Sequence, residues 1–177
     1  MKVITDSYEA TQKLGEKFAK DINPGDILLL FGDLGSGKTT FMQGLAKGLG
    51  IQKRIISPTF IIVRKYEVPI HPRGGDANSS SSERSESRSS DGSSRQARTI
   101  KTLYHIDLYR TQTPSASSGQ AKDDLLGLGL PEILSEKDAV VAIEWPEKLG
   151  QFLPKKRWEL HFKTIDENKR SITINKV

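Results

Sequence analysis

The sequence predicts an α/β fold: a single domain with a mixed, mostly parallel central sheet, helices on its faces and antiparallel C-terminal edge strands. Two segments, 26–31 (apolar after Asp26) and 139–143, contain continuous apolar runs with the composition of strands buried on both faces. Segments with helical spacing of apolar residues alternate with the predicted strands, which favours helices packed on a sheet. Apolar and polar residues alternate at 157–163 and at 170–174. This pattern predicts an antiparallel edge hairpin that turns at 166–168.

Bulk composition limits the classes of protein. The 177 residues suffice for one domain with a buried core, and without cysteine there is no disulfide, thiolate metal site or thiol nucleophile. Residues 1–6 lack the apolar core of a signal peptide and no run reaches membrane-spanning length, so we expect a soluble protein with no membrane partner. The net charge of +5 is a mild indication of a polyanionic partner, but dispersed basic residues favour a solvated surface.

The first predicted helix begins after Asp6 or Ser7, either of which can act as its N-cap. Residues 23–25, Asn-Pro-Gly, end it. Its predicted inner stripe consists of Ala10, Leu14 and Phe18.

A glycine-rich loop follows the first buried strand and carries the strongest signal in the chain. Residues 32–39, Gly-Asp-Leu-Gly-Ser-Gly-Lys-Thr, complete the pattern G-x-x-x-x-G-K-[ST]. Gly32 and Gly37 permit the backbone dihedrals that turn successive N–H groups toward an anion. In this motif a lysine, here Lys38, reaches the β- and γ-phosphates, and a hydroxyl, here Thr39, ligates Mg²⁺.

The surroundings of this motif are those of a nucleotide-binding P-loop. The strand at 26–31 precedes it, and the spacing of apolar residues predicts a helix over 39–49 after it. The N-terminus of such a helix adds partial positive charge to an anion site. A chance match in a glycine-containing loop is the alternative, and the flanking strand and helix make it the weaker interpretation.

Two strand-like segments, at 60–68 and 100–110, flank a strongly polar tract. From about 71 to 99 the chain contains no aliphatic or aromatic residue except Ala77 and Ala97. Such a tract buries too little apolar surface to offset its ordering entropy, so we predict a disordered serine-rich insertion in a hairpin-like connection. A phosphorylated or RNA-binding arm is the functional alternative.

Shorter elements complete the prediction. A second polar loop is expected at 111–121, a helix at 123–130, and a short helical turn that starts at Pro131. The second buried strand at 139–143 follows, and 1–177 is then one domain.

Glu144 directly follows the second buried strand. A P-loop needs a second acidic residue that orders Mg²⁺, usually at the end of a neighbouring strand, and a carboxylate there is hard to explain by packing. A strand-end surface acid is the alternative. Trp145 either lines the nucleotide pocket or belongs to the core.

Further polar candidates lie before and within the predicted strand at 100–110. His105 and Asp107 share one face of that strand, where they suit a site that orients water or Mg²⁺, although exposed polar alternation gives the same pattern. Ser57 and Thr59 either contact a γ-phosphate as a switch segment or simply form a turn.

Four motifs, in this order, closely resemble the TsaE family, the bacterial ATPases of the tRNA threonylcarbamoyladenosine pathway. They lie at 32–40, 57–60, 104–110 and 143–147. The resemblance covers essentially the whole chain except the serine-rich insertion, and four linked motifs are far more specific than a P-loop alone.

The resemblance implies roles for individual residues. Thr39 and Glu144 are implied to bind Mg²⁺, and Thr11 to lie near the nucleotide. Asp107 is implied to be needed for hydrolysis, together with Lys38 and Glu144, and residues 57–60 to act as a switch. The implied phosphate site consists of Gly35, Ser36, Gly37, Lys38, Thr39 and Thr40.

The resemblance also implies a function. ATP and Mg²⁺ are the implied cofactors, and the TsaD and TsaB proteins are the implied partners. Hydrolysis, slow in the isolated protein, then supports repeated modification of adenosine 37 in tRNAs that read ANN codons, with tRNA reached through the complex. The implied location is the bacterial cytoplasm.

Two other functions use the same loop. A small-molecule kinase usually carries an arginine-bearing lid, and the Arg-rich segment here lies in the serine tract, which is unsuited to forming one. A GTPase-like switch needs an N-K-x-D motif, whereas Asn168-Lys169 is followed by Arg170-Ser171.

Overall fold

The computed structural model describes residues 1–58, 61–69, 99–111 and 127–177. Several predictions therefore lie outside the described residues: nearly all of the insertion expected at 71–99, the polar loop at 111–121, and most of the helix expected at 123–130.

Within the described ranges, seven strands form one sheet. Their bounds are Lys2–Thr5 (β1), Ile27–Phe31 (β2), Val63–Glu67 (β3), Thr102–Asp107 (β4), Ala139–Glu144 (β5), Trp158–Thr164 (β6) and Arg170–Lys176 (β7). Their order across the sheet is β1-β7-β6-β2-β5-β4-β3.

The centre of this sheet is parallel and its flanks are antiparallel. Strand β2 pairs in parallel with β5 and β6, and β4 pairs in parallel with β5. Strands β3, β7 and β1 are added in antiparallel pairs. The predicted mixed sheet is confirmed, but it is parallel only at its centre, since three of the six pairs among the described strands are antiparallel. The strands before and after the polar tract, β3 and β4, do pair in antiparallel fashion, as predicted.

The position of the C-terminal hairpin differs from the prediction. The β6–β7 pair is not at the edge, because β1 pairs with β7 from Lys2↔Thr173 to Thr5↔Arg170 and forms the edge itself. Strand β1 has only four residues, and Ile4 is exposed while Thr5 is buried. So short a segment shows no amphipathic alternation, and its strand conformation depends on pairing with residues far along the chain.

Helices cover both faces of the sheet. Helices α1 (Tyr8–Phe18) and α2 (Lys38–Gly48) pack on one face, where Leu28 and Leu30 join their core. Helix α3 (Leu130–Ser135) and a 3₁₀ segment (Pro146–Phe152) cover the other face, with Ile27 and Leu29. In the described ranges, no helix is both long and apolar enough to cross a lipid bilayer.

The backbones of α1 and α2 lie closer together than packing through the predicted apolar side chains of α1 would allow. Ser7 is the N-cap of α1, since its Oγ accepts the Ala10 N–H at 3.1 Å. The buried face of α1 runs through Thr11, Gly15 and Phe18, whereas Ala10 and Leu14 are only half-buried. A Cβ on Gly15 would lie 2.2 Å from the Phe41 carbonyl oxygen, so glycine lets the two backbones touch.

This topology brings polar residues together at one end of the sheet. Leu30, Glu144 and Asp107 align across β2, β5 and β4 at the C-terminal ends of three parallel strands. The loop that joins β2 to α2 begins at the same end, one residue beyond Phe31. In α/β sheets ligands bind beyond the C-terminal ends of the strands, so this end is where a site is expected.

Candidate functional site

The loop at 32–37 has a backbone that only glycine permits at several positions. Gly32, Gly35 and Gly37 have φ values of 136°, 76° and 102°. At Gly32 a Cβ would also lie 2.4 Å from the Phe162 carbonyl oxygen, so a side chain is excluded on both grounds. Helix α2 starts directly after Gly37, and the N–H groups of its first turn have no partner within the helix. Loop and helix together present backbone donors to one region.

The Lys38 ammonium lies inside this loop. Its Nζ donates to the carbonyl oxygens of Gly32 at 2.6 Å and Asp33 at 2.9 Å, and lies 4.5 Å from the centre of the Trp145 ring. Burial lowers the Lys38 pKa below its ordinary value, and nearby carboxylates, Glu144 first, oppose this shift. The structure therefore holds a desolvated cation at the end of the sheet.

Glu144 ends β5 and is 3% exposed. Its Oε1 accepts the Thr39 hydroxyl at 3.1 Å and lies at hydrogen-bond distance, 2.8 Å, from His105 Nε2. The predicted pair of Thr39 and Glu144 is thus formed, although the two residues are 105 positions apart in the chain. The surface-acid alternative for Glu144 is wrong, because the carboxylate is buried and hydrogen-bonded.

Asp107 is beside Glu144 on the neighbouring strand and is 2% exposed. Its Oδ2 accepts the Ser57 hydroxyl at 2.7 Å, and its Oδ1 accepts the Tyr109 N–H at 2.9 Å. Exposed polar alternation is therefore the wrong interpretation of this strand, whose six residues are all buried. Ser57 does reach the site, through Asp107.

The oxygen donors at this end of the sheet fit Mg²⁺. Asp107 and Glu144 are paired on neighbouring strands, and the Thr39 hydroxyl contacts the Glu144 carboxylate. Mg²⁺ prefers such oxygen ligands and is usually held by one or two carboxylates together with phosphates and water. The described residues contain no cluster of three or more His, Cys, Asp or Glu side chains suited to a metal.

Trp145 covers the buried ammonium from the strand end. It has φ 60°, in the left-handed region that non-glycine residues rarely adopt, and its ring contacts that of Tyr109 at a centroid distance of 5.0 Å. Strain of this kind is typical of functional sites. Trp145 is half-buried, so it both packs and faces the site.

A cavity of about 110 Å³ lies on the other side of the glycine-rich loop. It is lined by Ser7, Tyr8, Thr11, Gly35, Gly37, Thr40, Glu167, Asn168 and Arg170. The Thr11 hydroxyl donates to the Ser7 carbonyl oxygen at 3.1 Å and pairs with the Thr5 hydroxyl at 2.8 Å. The methyl group of Thr11 therefore faces Gly37, and Thr11 shapes this cavity with an apolar surface.

The remaining predicted residues are placed as follows. Ser36 is 1% exposed, and among the described residues its Oγ has no hydrogen-bond partner. Thr40 lines the cavity with Thr11. Thr59, like Phe60, lies outside the described residues.

The sequence reasoning missed one group of residues near the loop. The β6–β7 turn brings Glu167, Asn168 and Arg170 to the cavity, and an Arg170 guanidinium nitrogen lies 3.5 Å from the Gly35 carbonyl oxygen. The hairpin itself was predicted, but nothing local to it indicated that β6 would pair with β2 and carry the turn to the loop.

Comparisons with known proteins point to one family. The family model described as "Threonylcarbamoyl adenosine biosynthesis protein TsaE" matches residues 5–73 and 93–172. A Bacillus subtilis protein named tRNA threonylcarbamoyladenosine biosynthesis protein TsaE is 32% identical over 169 residues, which are 96% of this chain and 79% of that protein. A Rickettsia bellii protein of the same name is 31% identical over 172 residues, 97% of this chain and 92% of its own.

A solved structure has a similar fold. The crystal structure of Bacillus subtilis YdiB superposes with a TM-score of 0.65 at 27% sequence identity. The superposition covers 100% of this chain and 85% of that one.

Proposed function

The chain belongs to the TsaE family, and from that premise we propose that it is a Mg²⁺-dependent ATPase that supports tRNA N6-threonylcarbamoyladenosine formation. It acts on a complex of TsaB and TsaD, which contacts the tRNA. The observation that carries the ATPase proposal is the contact of Thr39, at the start of α2, with Glu144, at the end of β5. A glycine loop, a lysine and this pair are the elements that a P-loop NTPase uses.

The phosphates of ATP are expected in the loop at 32–37 and on the N-terminus of α2. Backbone N–H groups there donate to phosphate oxygens, and the helix dipole favours their negative charge. Lys38 exchanges its bonds to the Gly32 and Asp33 carbonyls for charge-assisted bonds to phosphate, which are stronger. Its buried position keeps competing water away from those bonds.

Thr39 and Glu144 are the residues that would hold Mg²⁺, and the bound ion would neutralise charge on the phosphates. Adjacent Asp107 is fixed from two sides, by Ser57 and by the Tyr109 N–H, and its role is to orient the attacking water.

Slow turnover of the isolated chain is part of the proposal. The Ser57 hydroxyl binds Asp107 Oδ2 in the isolated chain, and movement of the segment that carries Ser57 would change how this carboxylate is held for the attacking water. Contact with the TsaB–TsaD complex is the event proposed to move it. Hydrolysis would then occur when the chain is bound to that complex, and it would support repeated rounds of tRNA modification.

The proposal is tested by ATP turnover of two variants. Lys38→Ala removes the cation at the phosphates and Glu144→Ala removes a Mg²⁺ ligand, and each is expected to lower phosphate release by ~100-fold or more. Lys163→Ala, at an exposed lysine on β6, is the matched control and is expected to turn over ATP like the wild type.

Wild-type-like turnover in both site variants contradicts the ATPase proposal. Product analysis separates the other functions. Phosphate release without a phosphorylated co-product excludes a kinase, and binding of ATP in preference to GTP excludes a guanine-specific switch.

A further inference from the structure

His105 is buried beneath the proposed Mg²⁺ ligand. It is 0% exposed and lies on β4, aligned with Ala142 on β5 and two residues before the Asp107–Glu144 pair. Its Nε2 is 2.8 Å from Glu144 Oε1. The imidazole is therefore buried where it contacts the carboxylate. A residue that orients water would instead face solvent.

The chemistry of the two groups fixes the direction of this bond. A carboxylate that ligates a cation, as proposed for Glu144, is ionised and only accepts hydrogen bonds, so in that site His105 Nε2 carries the hydrogen. Among the described residues His105 Nδ1 has no partner, and a buried lone pair there is less costly than an unpaired N–H donor. The surroundings of His105 therefore favour the form of the imidazole that carries a hydrogen on Nε2.

The bonds to Glu144 are unevenly divided between its oxygens. In the part of the chain that the structure describes, His105 and Thr39 both donate to Oε1, and Oε2 accepts no hydrogen bond. The hydrogen bonds to Oε1 hold the carboxylate in one orientation, and Oε2 can then bind a cation. In metal sites, such a supporting hydrogen bond fixes the ligand and typically accounts for 10–100-fold of metal affinity.

We propose that His105 is a positioning residue whose Nε2–H holds Glu144 so that Oε2 is presented to the cation that accompanies the nucleotide. This inference rests on the proposed function. It predicts that loss of the Nε2 donor weakens the Mg²⁺-dependent part of nucleotide binding and leaves the Mg²⁺-independent part unchanged.

Two amide substitutions separate the hydrogen bond from simple packing. His105→Gln places an amide N–H near the former Nε2 and keeps the donor, whereas the shorter side chain in His105→Asn reaches only the former Nδ1. Tyr104→Phe, on the opposite face of the same strand, removes the bond to Glu136 and is the control for general disturbance of β4.

The measurement is calorimetric binding of adenylyl imidodiphosphate, a non-hydrolysed ATP analogue, with and without Mg²⁺. In the wild type, His105→Gln and Tyr104→Phe, we expect Mg²⁺ to tighten binding equally. In His105→Asn this tightening is expected to fall by ~10–100-fold, with unchanged affinity in the absence of Mg²⁺. Equal Mg²⁺ tightening in the asparagine variant, or equal loss in both amide variants, overturns the inference. A wild-type chain that binds no analogue overturns the proposed function as well.

A second measurement requires no variant to fold. Long-range ¹H–¹⁵N spectra of the wild-type chain report which nitrogens of His105 carry hydrogen. A protonated Nε2 supports the proposal, and an imidazole protonated only on Nδ1 contradicts it, since such a ring donates nothing to Glu144.

Discussion

At the scale of single residues, the buried charge of Lys38 affects both the stability of the fold and the proposed binding of phosphate. Its ammonium is satisfied by two loop carbonyls and the Trp145 ring, yet burial still disfavours the charged form. Removing a charge from water is costly unless strong partners replace the water. Phosphate oxygens are such partners, so the ligand-free site holds a group whose environment improves when a polyanion binds.

This burial predicts a dependence of stability on pH. The Lys38 pKa is lowered in the folded chain, while in the unfolded chain it is near its ordinary value of 10.5. Between these two values the unfolded chain binds more protons, so the free energy of unfolding rises with pH. Lys38→Met lacks this contribution.

The free energy of unfolding of the wild type, minus that of Lys38→Met, should therefore increase as the pH is raised toward 10.5, the ordinary pKa of lysine. Urea denaturation without nucleotide or Mg²⁺ measures it. A difference that stays constant or decreases over this range shows that burial of the lysine is not the cause.

At the scale of elements, the α1–α2 pair depends on glycines at its contact. A Cβ on Gly44 would lie 1.9 Å from the Gln12 carbonyl oxygen, and one on Gly48 would lie 2.5 Å from the Glu16 carbonyl oxygen. Neither backbone oxygen moves without displacing its helix. Since α2 carries Lys38 and Thr39 at its N-terminus, this contact also fixes the position of the site.

Gly44→Ala tests that contact. Alanine favours a helix by about 1 kcal/mol over glycine, whereas overpacking costs about 1–3 kcal/mol and more where backbone is struck. We expect the clash to dominate and the free energy of unfolding to fall by about 2 kcal/mol. Gly127→Ala is the control, because a Cβ there meets no atom of the described residues within 4 Å. Equal stability of the Gly44 variant and wild type contradicts the close-packing account.

Elements with strong local signals were predictable from the sequence. The apolar runs of β2 and β5 have no other favourable location than the middle of a sheet, and Ser7 is a preferred N-cap. Strand β1 was not predictable, because four residues carry too little pattern. Its pairing with β7, and hence the true edge of the sheet, depends on tertiary contacts.

At the scale of the whole molecule, the order of the strands assembles the site. Glu144 and Asp107 were identified by their positions on predicted strands, but their adjacency follows from the parallel pairing of β4 with β5. The contact of His105 with Glu144 likewise depends on this pairing. Arg170 reaches the loop through the pairing of β6 with β2, which no local pattern indicates. Motifs in the sequence predicted which residue types form the site. The distances and contacts between those residues could not be predicted, because they depend on strand pairing.

Whether this chain is a partner-stimulated ATPase is decided by the rate of ADP formation from ATP, measured for the isolated chain and again with the TsaB and TsaD proteins of the same organism. We expect a slow rate for the chain alone and a rise of at least ~10-fold with both partners, abolished by Glu144→Ala. An unchanged rate with the partners, or a rise that persists in the Glu144 variant, would contradict this expectation.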